Sequence, residues 1–119
     1  MKNAAPVQQT DPAKSWFDVP VIPNIHQTIL KAADNPDALN MATWHTCETT
    51  HCRAGWAVFL AGENGKKLEA ASSTLFAAMQ IYHASNPAIP VSPVRFFEKN
   101  EVAMEDMRRC AELEKNGAQ

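Results

Sequence analysis

Four side chains able to ligate a metal or attack an electrophile crowd into one short stretch: His45, Cys47, His51 and Cys52. Imidazole nitrogen and thiolate sulfur are the donors that zinc prefers. The pattern His45-x-Cys47-x3-His51-Cys52 therefore offers up to four zinc ligands. Two features weaken it: His51 and Cys52 are adjacent and diverge at a helix start, and a second ligand pair could come only from His26, His83 and Cys110. The alternative chemistry is that of the thiol. With Thr49 or Thr50 capping a helix, Cys52 falls in its first turn, where the dipole favours the thiolate. His45 or His51 then serves as base and Cys47 as resolving thiol. Yet Cys-x4-Cys is not the Cys-x-x-Cys redox spacing, and Cys52 shares a helical face with Trp56, Phe59 and Leu60 that has to be buried.

A structural reading accounts for more of the same residues. Thr46, Glu48, Thr49 and Thr50 cap and turn the chain, Trp44 and Trp56 pack together across the turn, and Cys47 and Cys52 are small buried hydrophobes. Gly55 costs up to about 1 kcal/mol relative to alanine inside a helix. Close approach of another backbone, or of a tryptophan ring, is its expected compensation. Arg53 is a cation at the positive end of a helix, so it needs a carboxylate such as Glu48, or it reaches out to a partner.

Helices must position this stretch. Asn24 and Gln27 have the form of a capping box for a helix over 24–34, which Asn35-Pro36-Asp37 ends. Residues 38–43 read as a short helical turn. The central helix is expected to run to Ala61 and stop at Gly62, with Glu63-Asn64-Gly65 as a turn and 66–71 as a further helical turn. Ser72 or Ser73 caps a helix through Leu75, Phe76, Ala78, Met79, Tyr82 and Ala84, and Ser92-Pro93 opens a short turn holding Phe96 and Phe97. Asn100 caps the last helix, whose inner stripe is Ala103, Met107, Cys110 and Ala111, with Glu105 and Arg109 paired outside. No stretch reads as a strand. The expected fold is all-α, a compact domain of four or five short helices over 15–117, with a polar, disordered tail over 1–14. Trp16-Phe17-Asp18-Val19-Pro20-Val21-Ile22-Pro23 is an extended arm, because its prolines exclude helix. Trp16 or Phe17 anchors that arm on the core or presents it to a partner.

Composition excludes several functions. An apolar fraction of 45% and a charged fraction of 20% describe a globular chain rather than a disordered one. The net charge is −2 with no basic stripe, so nucleic acid is not expected as a partner. No apolar run reaches bilayer length and the N-terminus lacks a hydrophobic signal core, so membrane association is not expected and the cytoplasm is. Three cysteines make a poor disulfide framework, which fits a reducing compartment.

The pattern Trp44-His45-x-Cys47-x-Thr49-x-x-Cys52-Arg53-Ala54-Gly55-Trp56, followed by Leu60-Ala61-Gly62, resembles a family of small uncharacterised bacterial and phage-type proteins, some carrying pentapeptide repeats beside a like domain. Ile81-Tyr82-x-Ala84-Ser85 and Phe96-Phe97 with Glu101-x-Ala103-x-Glu105-Asp106 extend the resemblance, which covers roughly residues 19–112. It implies an accessory or host-interaction role in a mobile element. No nucleophile–base–orienter set or phosphate loop is legible, so no catalytic residue or obligatory cofactor is assigned. The expected function is that of a non-enzymatic, cytoplasmic protein-binding or regulatory accessory protein, with Arg53, Trp16 and Phe17 as candidate contacts. The alternative is a zinc- or thiol-dependent protein using Cys47 and Cys52 with His45 or His51.

Overall fold

A computed structural model of the chain describes residues 19–117. Among them are five α-helices: α1 (Ile25–Ala33), α2 (Arg53–Leu60), α3 (Gly62–Ala71), α4 (Thr74–Ser85) and α5 (Asn100–Lys115). A 3-10 helix spans Pro93–Phe97, with its proline in the first turn as expected. The fold is all-α apart from one small feature. The central motif, read above as a capped turn without strands, is an antiparallel hairpin of β1 (His45–Cys47) and β2 (Thr50–His51). Residues 38–40, expected as a helical turn, instead run parallel beside β2, with Leu39 bridging His51. The expected tail over 1–14 and the anchors Trp16 and Phe17 lie outside the described residues. The end of the arm packs on the core: Ile22 is buried and its amide donates to Ser85 Oγ at 2.9 Å.

Helix α5 carries much of the core on the predicted stripe. Ala103, Met107, Cys110 and Ala111 are all buried. Asp106 and Glu114 lie on that same stripe and are buried with them, and each acts as a hub. Asp106 Oδ2 accepts from Arg53 Nη1 at 2.7 Å, and Oδ1 accepts from Arg109 at 2.8 Å. Arg109 therefore pairs with Asp106 rather than with Glu105. Burial works to raise the Asp106 carboxyl, but the hydrogen bonds from Arg53 and Arg109 outweigh it and hold it below the usual carboxylate range. Glu114 accepts from the amides of His26 and Gln27, from Gln27 Nε2 and from Asn86 Nδ2. Burial opposes ionisation there too, yet the four donors leave its carboxyl lowered.

Those bonds correct the expected capping box. The first amides of α1 are satisfied by Glu114, far along the chain, while Asn24 adopts a left-handed backbone with φ 51° and makes no side-chain cap bond. Helix α4 follows its sequence signal, since Ser73 Oγ accepts from the Phe76 amide at 3.0 Å. At the start of α5, Lys99 rather than Asn100 is the cap residue. Asn100 instead ties α5 to the segment before the hairpin, accepting from the Met41 amide and donating to the Leu39 carbonyl. Helix α2 ends as expected, but Gly62 at φ +73° turns the chain by itself. Glu63, Asn64 and Gly65 are then free to continue as α3 instead of forming a loop.

Candidate functional site

The hairpin is held against the start of α2 by backbone. The Cys52 amide donates to the Trp44 carbonyl at 3.2 Å. A Cβ on Gly55 would stand 2.0 Å from that same oxygen, so the glycine is fixed by close backbone approach, one of the two expected reasons. Cys52, not Thr49 or Thr50, is the cap of α2, its Sγ accepting from the Gly55 amide at 3.3 Å. Cys52 is buried, and burial pushes its thiol up. Trp56 is buried with its Nε1 donating to the Ala38 carbonyl, and it packs edge-to-face against His51 and Phe59 rather than against Trp44. Trp44 turns the other way, its ring edge-on to Phe97 at 5.8 Å.

Arg53, expected with Glu48 or another carboxylate or on a partner surface, is wholly buried. It reaches Asp106, donates from Nε to the Tyr82 hydroxyl at 3.3 Å, and lies over that ring at 5.6 Å. Its position at a helix start, where a cation is disfavoured, is compensated by this internal carboxylate. Arg53 is thus a core residue and cannot contact a partner directly.

Two clefts meet at His45. The first, about 340 Å³, is lined by His45, Cys47, Glu48, His51, Val58, Phe59, Lys66 and Glu69. Here the structure assembles three of the four candidate ligands. His45 Nδ1 lies 2.7 Å from His51 Nδ1, His45 Nε2 donates to Glu69 Oε2 at 2.6 Å, and His51 Nε2 donates to the Glu48 carbonyl at 2.9 Å. Glu69 Oε2 also accepts from Thr74 Oγ1 at 2.7 Å, so it is fixed from the other side. Burial lowers the affinity of His51 for a proton. Cys47, expected to be buried, is instead exposed beside Thr49, and the Thr49 hydroxyl, then that of Thr50, hold its thiol down at about 7. Cys52 takes no part in lining the cleft, and no group of three His, Cys, Asp or Glu side chains among the described residues is already disposed to hold a metal ion.

The second cleft, about 570 Å³, is lined by Met41, Ala42, Thr43, Trp44, His45, Thr74, Phe96 and Phe97. In a 3-10 helix, residues three apart eclipse one another. Val94 and Phe97 therefore share an edge and are 69% and 65% exposed, while Phe96 is buried as the anchor. Trp44 and Phe97 form an aromatic rim on this groove.

Neither Glu69 nor the Phe97 rim was singled out by the sequence. Glu69 is 24 residues from His45 with no local pattern to link them. Phe97 carried a usable signal, because two adjacent aromatics in one tight turn cannot both face inward. His26 is buried, with Nε2 donating to the Ile89 carbonyl, and His83 is exposed, so neither joins the His45 cleft as a further ligand. No helix among the described residues is long and apolar enough to cross a membrane. No protein-family model, curated protein or solved structure matches the chain.

Proposed function

We propose that the protein is a non-enzymatic accessory module of the cytoplasm that binds a partner protein through the Trp44–Phe97 groove, in keeping with the phage-type setting that its motif suggests. The observation that carries this reading is the exposed Val94–Phe97 edge beside an apolar groove. Contiguous exposed apolar surface of this kind marks interaction sites. Aromatic anchors in such grooves dominate binding energy. The groove replaces Arg53 as the proposed contact.

The reading is tested by placing a photo-crosslinking residue at position 94 and comparing captured proteins in lysate of the source cells. Species captured by the parent and by a control Glu112→Ala background are expected to fall at least tenfold with Trp44→Ala and with Phe97→Asp. Equal capture by all four proteins would exclude the groove as a binding face.

A further inference from the structure

We infer that His45, His51 and Cys47 form a zinc site, with the two Nδ1 atoms and the Cys47 sulfur as ligands and a water in the fourth position. The inference is independent of the binding groove and rests on where the imidazole hydrogens must be. A carboxylate and a carbonyl can only accept, so Nε2 carries the hydrogen in both rings: His45 donates to Glu69 and His51 to Glu48. A neutral imidazole has one such hydrogen. Both Nδ1 atoms therefore present lone pairs, and yet they face each other at 2.7 Å. Something electropositive belongs between them, either a proton or a metal ion.

The surroundings favour the metal. An imidazole whose remote N–H is held by a carboxylate or a backbone carbonyl has the outer arrangement that orients a ligating histidine. Both rings have it, and Glu69 is itself fixed by Thr74. Cys47 lines the same cleft, and nitrogen with sulfur selects zinc over magnesium or calcium. Lys66 also lines the cleft and opposes a cation, but Glu48 and Glu69 line it too. With zinc–nitrogen bonds near 2.0–2.1 Å, a tetrahedral pair of nitrogens stands about 3.3 Å apart, so the rings must part by roughly 0.6 Å. The partly exposed His45 side chain allows that. Cys47 Sγ, now against Thr49 Oγ1 at 3.5 Å, must rotate inward, which an exposed side chain does readily. Binding displaces any proton between the nitrogens and the thiol proton, both going to solvent. Cys52 stays outside the site as the cap of α2.

The test is a titration of untagged, metal-free full-length protein with Co²⁺ as a spectroscopic stand-in, then with Zn²⁺. One metal per chain is expected, with a thiolate-to-cobalt charge-transfer band. Cys47→Ser should abolish the band and weaken zinc binding at least tenfold, with an unchanged far-ultraviolet circular dichroism spectrum because the side chain is exposed. Glu69→Gln, which removes a positioning residue, should weaken zinc binding about 10- to 100-fold while keeping the band. Cys52→Ala should leave the band in place. No uptake at equimolar micromolar metal would mean that the histidines share a proton, and would overturn the site. Uptake without a thiolate band, or a band that survives Cys47→Ser, overturns it equally.

Discussion

Three cysteine sulfurs in one chain occupy three unlike environments. Cys47 is exposed at the hairpin tip, Cys52 is a buried helix cap, and Cys110 is buried among Arg53, Arg109 and Asp106. Burial raises the thiols of Cys52 and Cys110, whereas threonine hydroxyls lower that of Cys47. Alkylation of the native, metal-free protein at neutral pH should therefore label Cys47 alone, with Cys52 and Cys110 reacting only after denaturation. Peptide mapping by mass spectrometry checks this, and native labelling of Cys52 would contradict its role as a cap. The sequence made Cys52 the stronger nucleophile candidate because it was read inside the first turn of a threonine-capped helix. That reading failed by a few residues. The hairpin uses up Thr50, and a cysteine, which is no usual cap residue, takes the cap position.

At the scale of elements, the hairpin and α2 are joined where the Trp44 carbonyl rests on Gly55. Any side chain at position 55 has to push that carbonyl away. Gly55→Ala gains helix propensity of up to about 1 kcal/mol, but the clash is with backbone. Overpacking of this kind costs about 1–3 kcal/mol or more. The variant should be less stable by about 2 kcal/mol in urea denaturation, with the His45–His51 contact loosened; stability equal to the parent would show that the hairpin is not docked through this glycine. Element type was legible wherever a helix was long and its cap local, as with Ser73 and α4. The strands were not, because runs of three and two residues are too short to show an alternating pattern. Glycine at 55 did announce a backbone neighbour, though not which one.

At the scale of the molecule, two buried carboxylates on α5 hold distant segments together. Asp106 neutralises Arg53 of α2, and Glu114 gathers the first amides of α1 and the side chain of Asn86. Both carboxyls titrate below their ordinary values in the folded protein, despite burial. A depressed acid contributes stability that is complete above its unfolded value, about 4, and is lost as pH falls through the folded value. The urea midpoint should thus fall progressively below about pH 4. Asp106→Asn, which strands a buried guanidinium, should cost about 3–5 kcal/mol near neutral pH. Glu114→Gln should also lower stability near neutral pH, and each variant should show a shallower acid dependence than the parent. An unchanged slope in both would show that these groups do not govern acid unfolding. Their positions were visible as interruptions of an apolar stripe, Asp106 beside Met107 and Glu114 three residues after Ala111. Their partners were not, since nothing local links Asp106 to Arg53 or Glu114 to α1.

The bonds from Glu114 to His26 and Gln27 span 88 and 87 residues. A ribosome delivers the chain from its amino end, so the segment that becomes α1 emerges long before the carboxylate that will satisfy its leading amides. A nascent chain stopped short of position 114 carries a nine-residue helix too short to persist in water unaided. Helix α1 consequently depends on the far end of the described chain, and its leading amides are secured only once α5 has been made.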